Sequence, residues 1–327
     1  MVLYYQTSYN YGVFMEFLYF LESIRNPVLD FIMGAITYLG DEVAFLAICL
    51  AFIWCVDKHR GYFLLSVSFV GVILNQILKL VFRIDRPWVK DPNFKPVESA
   101  VPAATGYSFP SGHTQNATGV FTGITITTKR IWLRVLSVAA IVLVAFSRMY
   151  LGVHTPLDVG VSLVLGIALS FAIYPLFKYT KDKPMGTFVI FCVFLSISVI
   201  FFIATLCLPT PASLTADELA NIHSAQHTGA TLLGAVGGVM VAYILDLKFI
   251  KSKIKAPLLI QILKLVVGMG IVVGLKSVLK IAFGGDDEIL ILRALRYFIV
   301  VVFAGAGFPA TFKWFNKLGE KLQKNKN

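Results

Sequence analysis

The sequence has 327 residues, of which 57% are hydrophobic and 14% are charged, and its formal net charge is +11. Ordinary globular domains contain about 45–50% apolar and about 25% charged residues, so this composition excludes a water-soluble globular protein. It also excludes a disordered chain and a small disulfide-rich secreted scaffold, because each needs a different compositional bias. The apolar excess therefore predicts an integral membrane protein whose surplus side chains face lipid.

Long apolar segments recur along the chain. They predict helices and not barrel strands, because they lack period-2 alternation and extend well beyond about 10 residues. Nine predicted spans cover residues 42–56, 61–82, 112–128, 132–150, 157–177, 187–207, 228–247, 258–283 and 289–312. Apolar residues at helical spacing in the region 13–39 predict an interfacial amphipathic helix. The expected fold is therefore an all-α, polytopic helical membrane protein.

Basic residues are concentrated in alternate connections between the predicted spans. More than half of the 29 Lys and Arg residues lie in one set of connections and in the C-terminal tail 313–327. The positive-inside rule places that set, with the C-terminus, in the cytoplasm. The opposite connections are then extracytoplasmic, and we expect the protein in a bacterial cell membrane. Because the charges follow topology, they predict no nucleic-acid partner.

Polar residues interrupt the predicted outer ends of the spans in three clusters. The clusters read K-L-V-F-R-I-D-R-P over 79–87, P-S-G-H over 110–113 and S-R-M-Y-L-G-V-H-T-P-L-D over 147–158. Lys79 and Arg86 are seven residues apart, which predicts that both project from one helix face. Together with Arg148 they supply three cations suited to phosphate oxygens. A helix that opens after Ser111 adds unpaired backbone N–H groups, so we expect an oxyanion site.

Two histidines, His113 and His154, accompany this predicted oxyanion site, and no carboxylate cluster does. This combination predicts phosphoryl chemistry without metal or cofactor, in which one imidazole attacks phosphorus and the other protonates the leaving oxygen. Asp158 lies four residues beyond His154, a spacing that would let it hydrogen-bond and orient that imidazole. Spacing alone leaves the roles of the two histidines open.

Each feature taken singly also has a structural explanation. Thr155, Pro156 and Asp158 match the N-cap, N1 and N3 positions of a helix, so Asp158 would complete a capping box. The three cations would each be an interfacial side chain that extends to water. Residues 110–112 would form a turn and a helix cap. Ionisable residues at a membrane edge are costly, however, and their coincidence favours a functional site.

Taken in order, K-x6-R-P, P-S-G-H and S-R-x5-H-x3-D resemble the three-part signature of the type 2 phosphatidic acid phosphatase superfamily, in its membrane-bound lipid phosphate phosphatase branch. Every signature position is filled. The resemblance implies that His154 is the nucleophile that forms a phosphohistidine, that Asp158 orients it and that His113 is the general acid. It also implies phosphate binding by Lys79, Arg86, Ser111, Gly112 and Arg148.

The resemblance covers the middle of the chain and predicts its organisation. An N-terminal interfacial amphipathic region would cover residues 1–41, and the phosphatase-like catalytic transmembrane core residues 42–178. Additional C-terminal transmembrane helices, which the core does not require, would cover 187–312. A basic cytoplasmic tail, 313–327, would complete the chain.

The resulting hypothesis is a membrane phosphatase that hydrolyses a lipid phosphomonoester or diphosphate. Its partners would be membrane lipids and a lipid phosphate substrate: isoprenyl diphosphate, phosphatidylglycerophosphate, phosphatidate or a sphingoid phosphate. Two alternatives stay open. One is a non-catalytic carrier of phosphorylated lipids, and the other is a lipid phosphotransferase that uses the same phosphohistidine.

The C-terminal helices carry two further patterns. Glycines four residues apart, Gly234 with Gly238 and Gly270 with Gly274, predict close helix packing. Four basic residues lie inside the predicted spans: Lys276, Lys280, Arg293 and Arg296. We expect them to pair with the acidic stretch Asp286, Asp287 and Glu288, and the alternative is that they bind a second phosphate or a head group.

Overall fold

A computed structural model of the chain describes residues 2–211, 213–285 and 288–324, with side chains for 12–211, 213–285 and 288–321. The described chain is helical and contains no β-strand. Its helices are α1 (Val2–Ser23), α2 (Pro27–Thr37), α3 (Glu42–Ala51), α4 (Lys58–Phe82), α5 (Pro87–Lys90), α6 (Gly112–Thr127), α7 (Ile131–Tyr150), α8 (Pro156–Thr180), α9 (Pro184–Leu206), α10 (Ala216–Leu245), α11 (Leu258–Ala282), α12 (Leu290–Val302), α13 (Phe308–Ala310) and α14 (Phe312–Lys324). The expected all-α membrane fold is confirmed.

The described helices are long and apolar enough to form seven membrane spans. These are Lys58–Lys90, Ile131–Tyr150, Pro156–Thr180, Pro184–Leu206, Ala216–Ile250, Leu258–Ala282 and Leu290–Lys321. An eighth would be a bent pair, Pro27–Gly40 with Glu42–Val56, whose halves meet at 53°. The predicted count of nine is therefore wrong. Residues 42–56 form only half of that pair, and α6, with 16 residues, reaches about 24 Å against a hydrocarbon core of about 30 Å.

The region 13–39 contains the end of α1 and the whole of α2. Asn26 caps α2 by accepting a hydrogen bond from the Leu29 N–H, and Pro27 occupies its first turn. The pair Asn26-Pro27 therefore starts a helix, because proline at N1 needs no hydrogen-bond acceptor. On α1, Leu18 and Leu21 are buried in an apolar cluster with Phe94. One face of this N-terminal region thus packs against protein. The boundary predicted at residue 41, between the N-terminal region and the catalytic core, stays a prediction.

The chain forms two compact units. The first contains Met1–Phe45, Val70–Ala172 and Thr215–Ile222. In this unit α6 and α2 each pack against α7, and the 3₁₀ turn Tyr38–Gly40 contacts α6. All three polar clusters found in the sequence fall within the first unit, on helix ends and on the connections between them.

The second unit contains Leu46–Phe69, Ile173–Leu214 and His223–Asn327. Here α11 packs against α12 and α14. The fully buried Trp54 donates its indole N–H to the carbonyl oxygen of Ala304 at 2.9 Å. That bond satisfies a polar group that would be costly to leave unpaired among apolar side chains.

An ion pair in the second unit joins the acidic connection to α12. Arg296 donates two hydrogen bonds to the carboxylate of Glu288, at 2.8 and 2.6 Å, and both residues are buried. Arg293 lies 3.9 Å from the same carboxylate. The predicted pairing is thus confirmed for these two arginines, whereas Asp286 and Asp287 lie outside the described residues.

The two glycine pairs differ in their surroundings. A Cβ on Gly234 would collide with the carbonyl oxygen of Ala294, and one on Gly238 would lie 2.9 Å from the Cβ of Val301. Close packing of α10 on α12 is therefore confirmed for the first pair. At Gly270 and Gly274 no described heavy atom lies within 4 Å of such a Cβ, so the same prediction is wrong for α11.

This contrast gives a test of helix packing. We expect Gly234→Ala to lower the apparent melting temperature of the purified protein in detergent, because the added methyl group forces α10 from α12 at a cost of about 1–3 kcal/mol. Gly274→Ala is the matched control and should leave the melting temperature unchanged or slightly raise it. Equal effects of the two substitutions would contradict the packing described here.

Candidate active site

Lys79 and Arg86 reach one place by different routes. Helix α4 ends at Phe82, and Arg83 adopts the left-handed conformation with φ 47°. The prediction that Lys79 and Arg86 share one face of a continuous helix is therefore wrong, because the helix ends between them. Arg86 itself is extended, as expected for the residue before Pro87. Both cations nevertheless donate to the carbonyl oxygen of Thr105, Lys79 at 3.2 Å and Arg86 at 2.8 Å.

The guanidinium of Arg86 is held by neutral acceptors. Besides the Thr105 oxygen, it donates to the carbonyl oxygens of Gly106 at 3.2 Å and Val153 at 2.9 Å. Its Nη1 also lies 2.9 Å from Nε2 of His154. Arg86 is 6% exposed, so this is a buried positive charge fixed in place by backbone dipoles.

His154, Ser108 and Asp158 form a compact group. Nδ1 of His154 lies 3.4 Å from the Asp158 carboxylate and 3.5 Å from the Ser108 hydroxyl. Ser108 donates to Oδ2 of Asp158 at 2.6 Å. All three residues are buried. The predicted proximity of Asp158 to the imidazole is thus present, with Ser108 as an additional member that the sequence did not reveal.

Asp158 also completes the capping box predicted as its alternative role. Its Oδ2 accepts a hydrogen bond from the Thr155 N–H at 2.8 Å, and the Thr155 hydroxyl accepts one from the Asp158 N–H at 3.3 Å. The two roles are compatible, since a carboxylate oxygen accepts more than one hydrogen bond. The start of α8 therefore fixes the carboxylate beside His154.

The contacts of His154 define its tautomer. A guanidinium only donates hydrogen bonds, so Nε2 beside Arg86 must be unprotonated and Nδ1 carries the proton toward Asp158. His154 lies in the connection 151–155, outside the candidate spans. Burial, followed by the charge of Arg86, holds the pKa of His154 well below its usual range. The imidazole is neutral, with the Nε2 lone pair toward the cations.

The turn before α6 is fixed from both sides. Ser111 is the N-cap of α6, where its hydroxyl accepts from the Thr114 N–H at 3.4 Å, and its own N–H donates to the carbonyl oxygen of Asp158 at 3.3 Å. Asn75 donates to the Pro110 carbonyl oxygen at 3.2 Å and to the Gln115 side chain at 2.9 Å. These bonds position the first N–H groups of α6, which favour anions.

Arg148 is buried near the end of α7 with few partners. It is 1% exposed, and its Nη1 donates to the Thr37 hydroxyl at 2.8 Å. Its Nε is buried and has no hydrogen-bond partner among the described residues. An unpaired guanidinium N–H in a buried position is costly, and a phosphate oxygen is an acceptor that would satisfy it.

His113 is the second residue of α6 and faces a carboxylate. Its Nε2 lies 3.9 Å from Oδ2 of Asp41, and the His113 side chain is 17% exposed. Asp41 follows the turn Tyr38–Gly40, so it reaches the site from the N-terminal part of the first unit.

The structure thus brings every sequence-predicted site residue into the first unit. Four contacting residues were not predicted, because each lies outside the three motifs: Thr37, Asp41, Asn75 and Ser108. Asn75 carries the clearest signal, as an amide within an apolar helix. In the part of the chain that the structure describes, no three His, Cys, Asp or Glu side chains lie together as a metal site would require.

Comparisons with known proteins address the family. Residues 60–182 match the PAP2 superfamily, and residues 230–321 match the PAP2 superfamily phosphatase, transmembrane extension. An undecaprenyl-diphosphatase of Sulfolobus acidocaldarius is 30% identical over an alignment that covers 50% of this chain and 77% of that protein. The chain belongs to the PAP2 superfamily. The resemblance carried by the three motifs is therefore confirmed, and the chain is a PAP2 phosphatase.

Other PAP2 proteins show the same extent of likeness. An undecaprenyl-diphosphatase of Bacillus subtilis is 34% identical and covers 46% of this chain and 77% of its own length. The crystal structure of a PAP2-type phosphatidylglycerolphosphate phosphatase from Bacillus subtilis has 25% sequence identity and a TM-score of 0.42, covering 53% of this chain and 86% of that one. The match to the transmembrane extension agrees with the additional C-terminal helices expected from the sequence.

Arg148 gives a binding test of this site. We expect Arg148→Met to weaken binding of tungstate, a phosphate-like oxyanion, by about 10–100-fold, because a hydrogen bond to a charged group contributes about 1.5–3 kcal/mol. Arg134→Met is the matched control on α7, since Arg134 donates to the Thr128 carbonyl oxygen. Isothermal titration of both variants measures the effect, and equal affinities would exclude Arg148 from the oxyanion site.

Proposed function

We propose that this PAP2 phosphatase hydrolyses lipid phosphates at the site built by Lys79, Arg86, Arg148 and the two histidines, through a phosphohistidine on His154. One observation carries the proposal. The neutral His154 presents its unprotonated Nε2 to the guanidinium of Arg86, while Nδ1 faces Asp158. A nucleophile aimed at the cations that would hold a phosphoryl group is the arrangement this reaction needs.

In the first step, the Nε2 lone pair of His154 attacks phosphorus. A P–N bond forms, the bond from phosphorus to the leaving oxygen breaks, and His113 gives that oxygen a proton. The Nδ1 proton stays on the imidazole ring, and Asp158 stabilises the positive charge of the phosphohistidine. Ser108 keeps the carboxylate in position by its 2.6 Å hydrogen bond.

In the second step, water attacks the same phosphorus atom and gives one proton to His113. The P–N bond breaks, its electron pair returns to Nε2, and inorganic phosphate is released. Both histidines then have their starting protonation states, so the cycle is balanced. Throughout, Lys79, Arg86 and Arg148 balance the charge on the transferring phosphoryl oxygens, together with the N–H groups at the start of α6.

A lipid is the proposed substrate class. In an integral membrane protein, a site at helix ends receives a charged head group while the acyl or prenyl tail stays in the hydrocarbon region. Two of the relatives named above are undecaprenyl-diphosphatases. Another, from Dictyostelium discoideum, is a probable sphingosine-1-phosphate phosphatase with 32% identity over 45% of this chain. We therefore propose isoprenyl diphosphates and lipid phosphomonoesters as the substrates to test first.

The orientation is also a proposal. The alternating lysine and arginine distribution supports an extracytoplasmic active site and a cytoplasmic C-terminus. The proposed domain division follows the sequence: an N-terminal region 1–41, a catalytic core 42–178, further helices 187–312 and a basic tail 313–327.

Release of inorganic phosphate tests the proposed reaction. Purified protein in detergent, with EDTA, is incubated with undecaprenyl diphosphate, phosphatidylglycerophosphate, phosphatidate and sphingosine 1-phosphate. We expect release from at least one lipid, and a loss of about 10⁴-fold or more for His154→Ala, since the covalent path needs that nucleophile. His59→Ala is the matched control, because His59 belongs to the second unit, where it contacts the Phe177 carbonyl oxygen at 2.6 Å.

The outcomes separate the alternatives. Retained release in His154→Ala would exclude His154 as the nucleophile, and a requirement for divalent metal would exclude the metal-free reaction. Tight substrate binding without phosphate release in the wild type would indicate a carrier. Phosphate transferred to an added lipid alcohol, in place of free phosphate, would indicate a phosphotransferase.

A further inference from the structure

The segment Thr37–Asp41 approaches the active site from outside the matched family region, residues 60–182. Thr37 accepts a hydrogen bond from Arg148 at 2.8 Å, and Asp41 lies 3.9 Å from His113. One short segment thus contacts both a proposed phosphate ligand and the proposed general acid. We infer that Asp41 is a positioning residue whose carboxylate favours the protonated form of His113, the form that gives its proton to the leaving oxygen; this inference rests on the function proposed above.

The charges around His113 explain why such a residue is needed. Burial, followed by the positive charges of Arg148, Lys79 and Arg86, lowers the pKa of His113 to about 3. His154 is a further basic group nearby. Each cation disfavours a second positive charge on His113. Asp158 is engaged by Ser108 and Thr155, whereas Asp41 directs a carboxylate oxygen at His113. Its negative charge favours the imidazolium that a general acid requires.

The backbone holds Asp41 in this place. A Cβ on Gly40 would lie 2.5 Å from the carbonyl oxygen of His113, so the segment lies directly against the first turn of α6 and only glycine fits there. The other carboxylate oxygen of Asp41 accepts the Val43 N–H at 2.8 Å. This bond caps the start of α3, which leaves Oδ2 free to face His113.

The two functions of Asp41 are separable by substitution. Asparagine caps helices as well as aspartate does, so Asp41→Asn keeps the bond to the Val43 N–H and removes the charge. Asp41→Glu keeps the charge and is the conservative variant. Glu42→Gln is the matched control, because it removes the adjacent carboxylate, which has no ion pair among the described residues.

The experiment compares two substrates that differ in the basicity of the leaving oxygen. Sphingosine 1-phosphate releases a lipid alcohol that needs a proton, whereas p-nitrophenyl phosphate releases a stable phenolate. We expect Asp41→Asn to lower kcat on the lipid by about tenfold or more with little change in KM, and to leave kcat on the aryl phosphate within about twofold of wild type.

The pH dependence gives a second readout that a structural role would not move. Loss of the carboxylate makes the His113 imidazolium less favourable, so the proton is lost at lower pH. The alkaline limb of the kcat profile on the lipid should therefore shift to lower pH in Asp41→Asn and return toward its wild-type position in Asp41→Glu. Glu42→Gln should keep the wild-type profile.

The results distinguish this inference from the proposed function. If the wild type releases no phosphate from either substrate, the proposed function fails. If the wild type is active and Asp41→Asn matches it on both substrates, or loses both equally, the role of Asp41 is excluded. An unchanged melting temperature of Asp41→Asn would show that the helix cap is intact. Gly40→Val displaces the segment Thr37–Asp41, so it should also lower kcat on the lipid more than kcat on the aryl phosphate.

Discussion

The first unit of this protein, which contains the candidate active site, is organised around three buried positive charges. Lys79, Arg86 and Arg148 are 6%, 6% and 1% exposed, and none lies within ion-pair distance of a carboxylate among the described residues. Backbone carbonyls, one hydroxyl and one imidazole accept their hydrogen bonds. A buried cation without an ion-pair partner is costly, which supports the proposal that a phosphate group binds between these three side chains.

The surrounding structure follows from this constraint. The carbonyl groups of residues 105–106 accept hydrogen bonds from Lys79, near the end of α4, and from Arg86, just before α5. The Asn75 and Gln115 side chains tie the start of α6 to α4. The capping box of α8 places Asp158 beside His154. The elements that position charge are thus helix ends, where unpaired N–H and carbonyl groups are available.

The motifs could be predicted from the sequence because their residue types are improbable at the edges of apolar segments. His113 and Asp158 lie in the first turns of α6 and α8, and His154 lies two residues before α8; proline, serine and threonine mark both helix starts. The continuous helix expected from Lys79 to Arg86 was wrong because a seven-residue spacing does not reveal a left-handed residue. The predicted span at residues 112–128 was wrong because α6 is short and partly polar. Such a helix is stabilised by its protein neighbours, which a hydropathy profile does not take into account. Asp41 and Ser108 meet the histidines only through tertiary packing, which no spacing in one sequence encodes.

A comparison within the chain shows which arginines are structural. Arg296 is as buried as Arg148, 2% against 1% exposed. It makes two hydrogen bonds to Glu288, so its charge is balanced locally and its role is to hold α12. Arg148 has a hydroxyl in place of a carboxylate and keeps an unpaired Nε. Both lie in helices rich in apolar residues, and the sequence already predicted different roles for them, phosphate binding for Arg148 and pairing with the acidic stretch for Arg296. Arg148 therefore differs from Arg296 in having no ion-pair partner among the described residues, and this difference supports the proposal that a phosphate oxygen binds beside it.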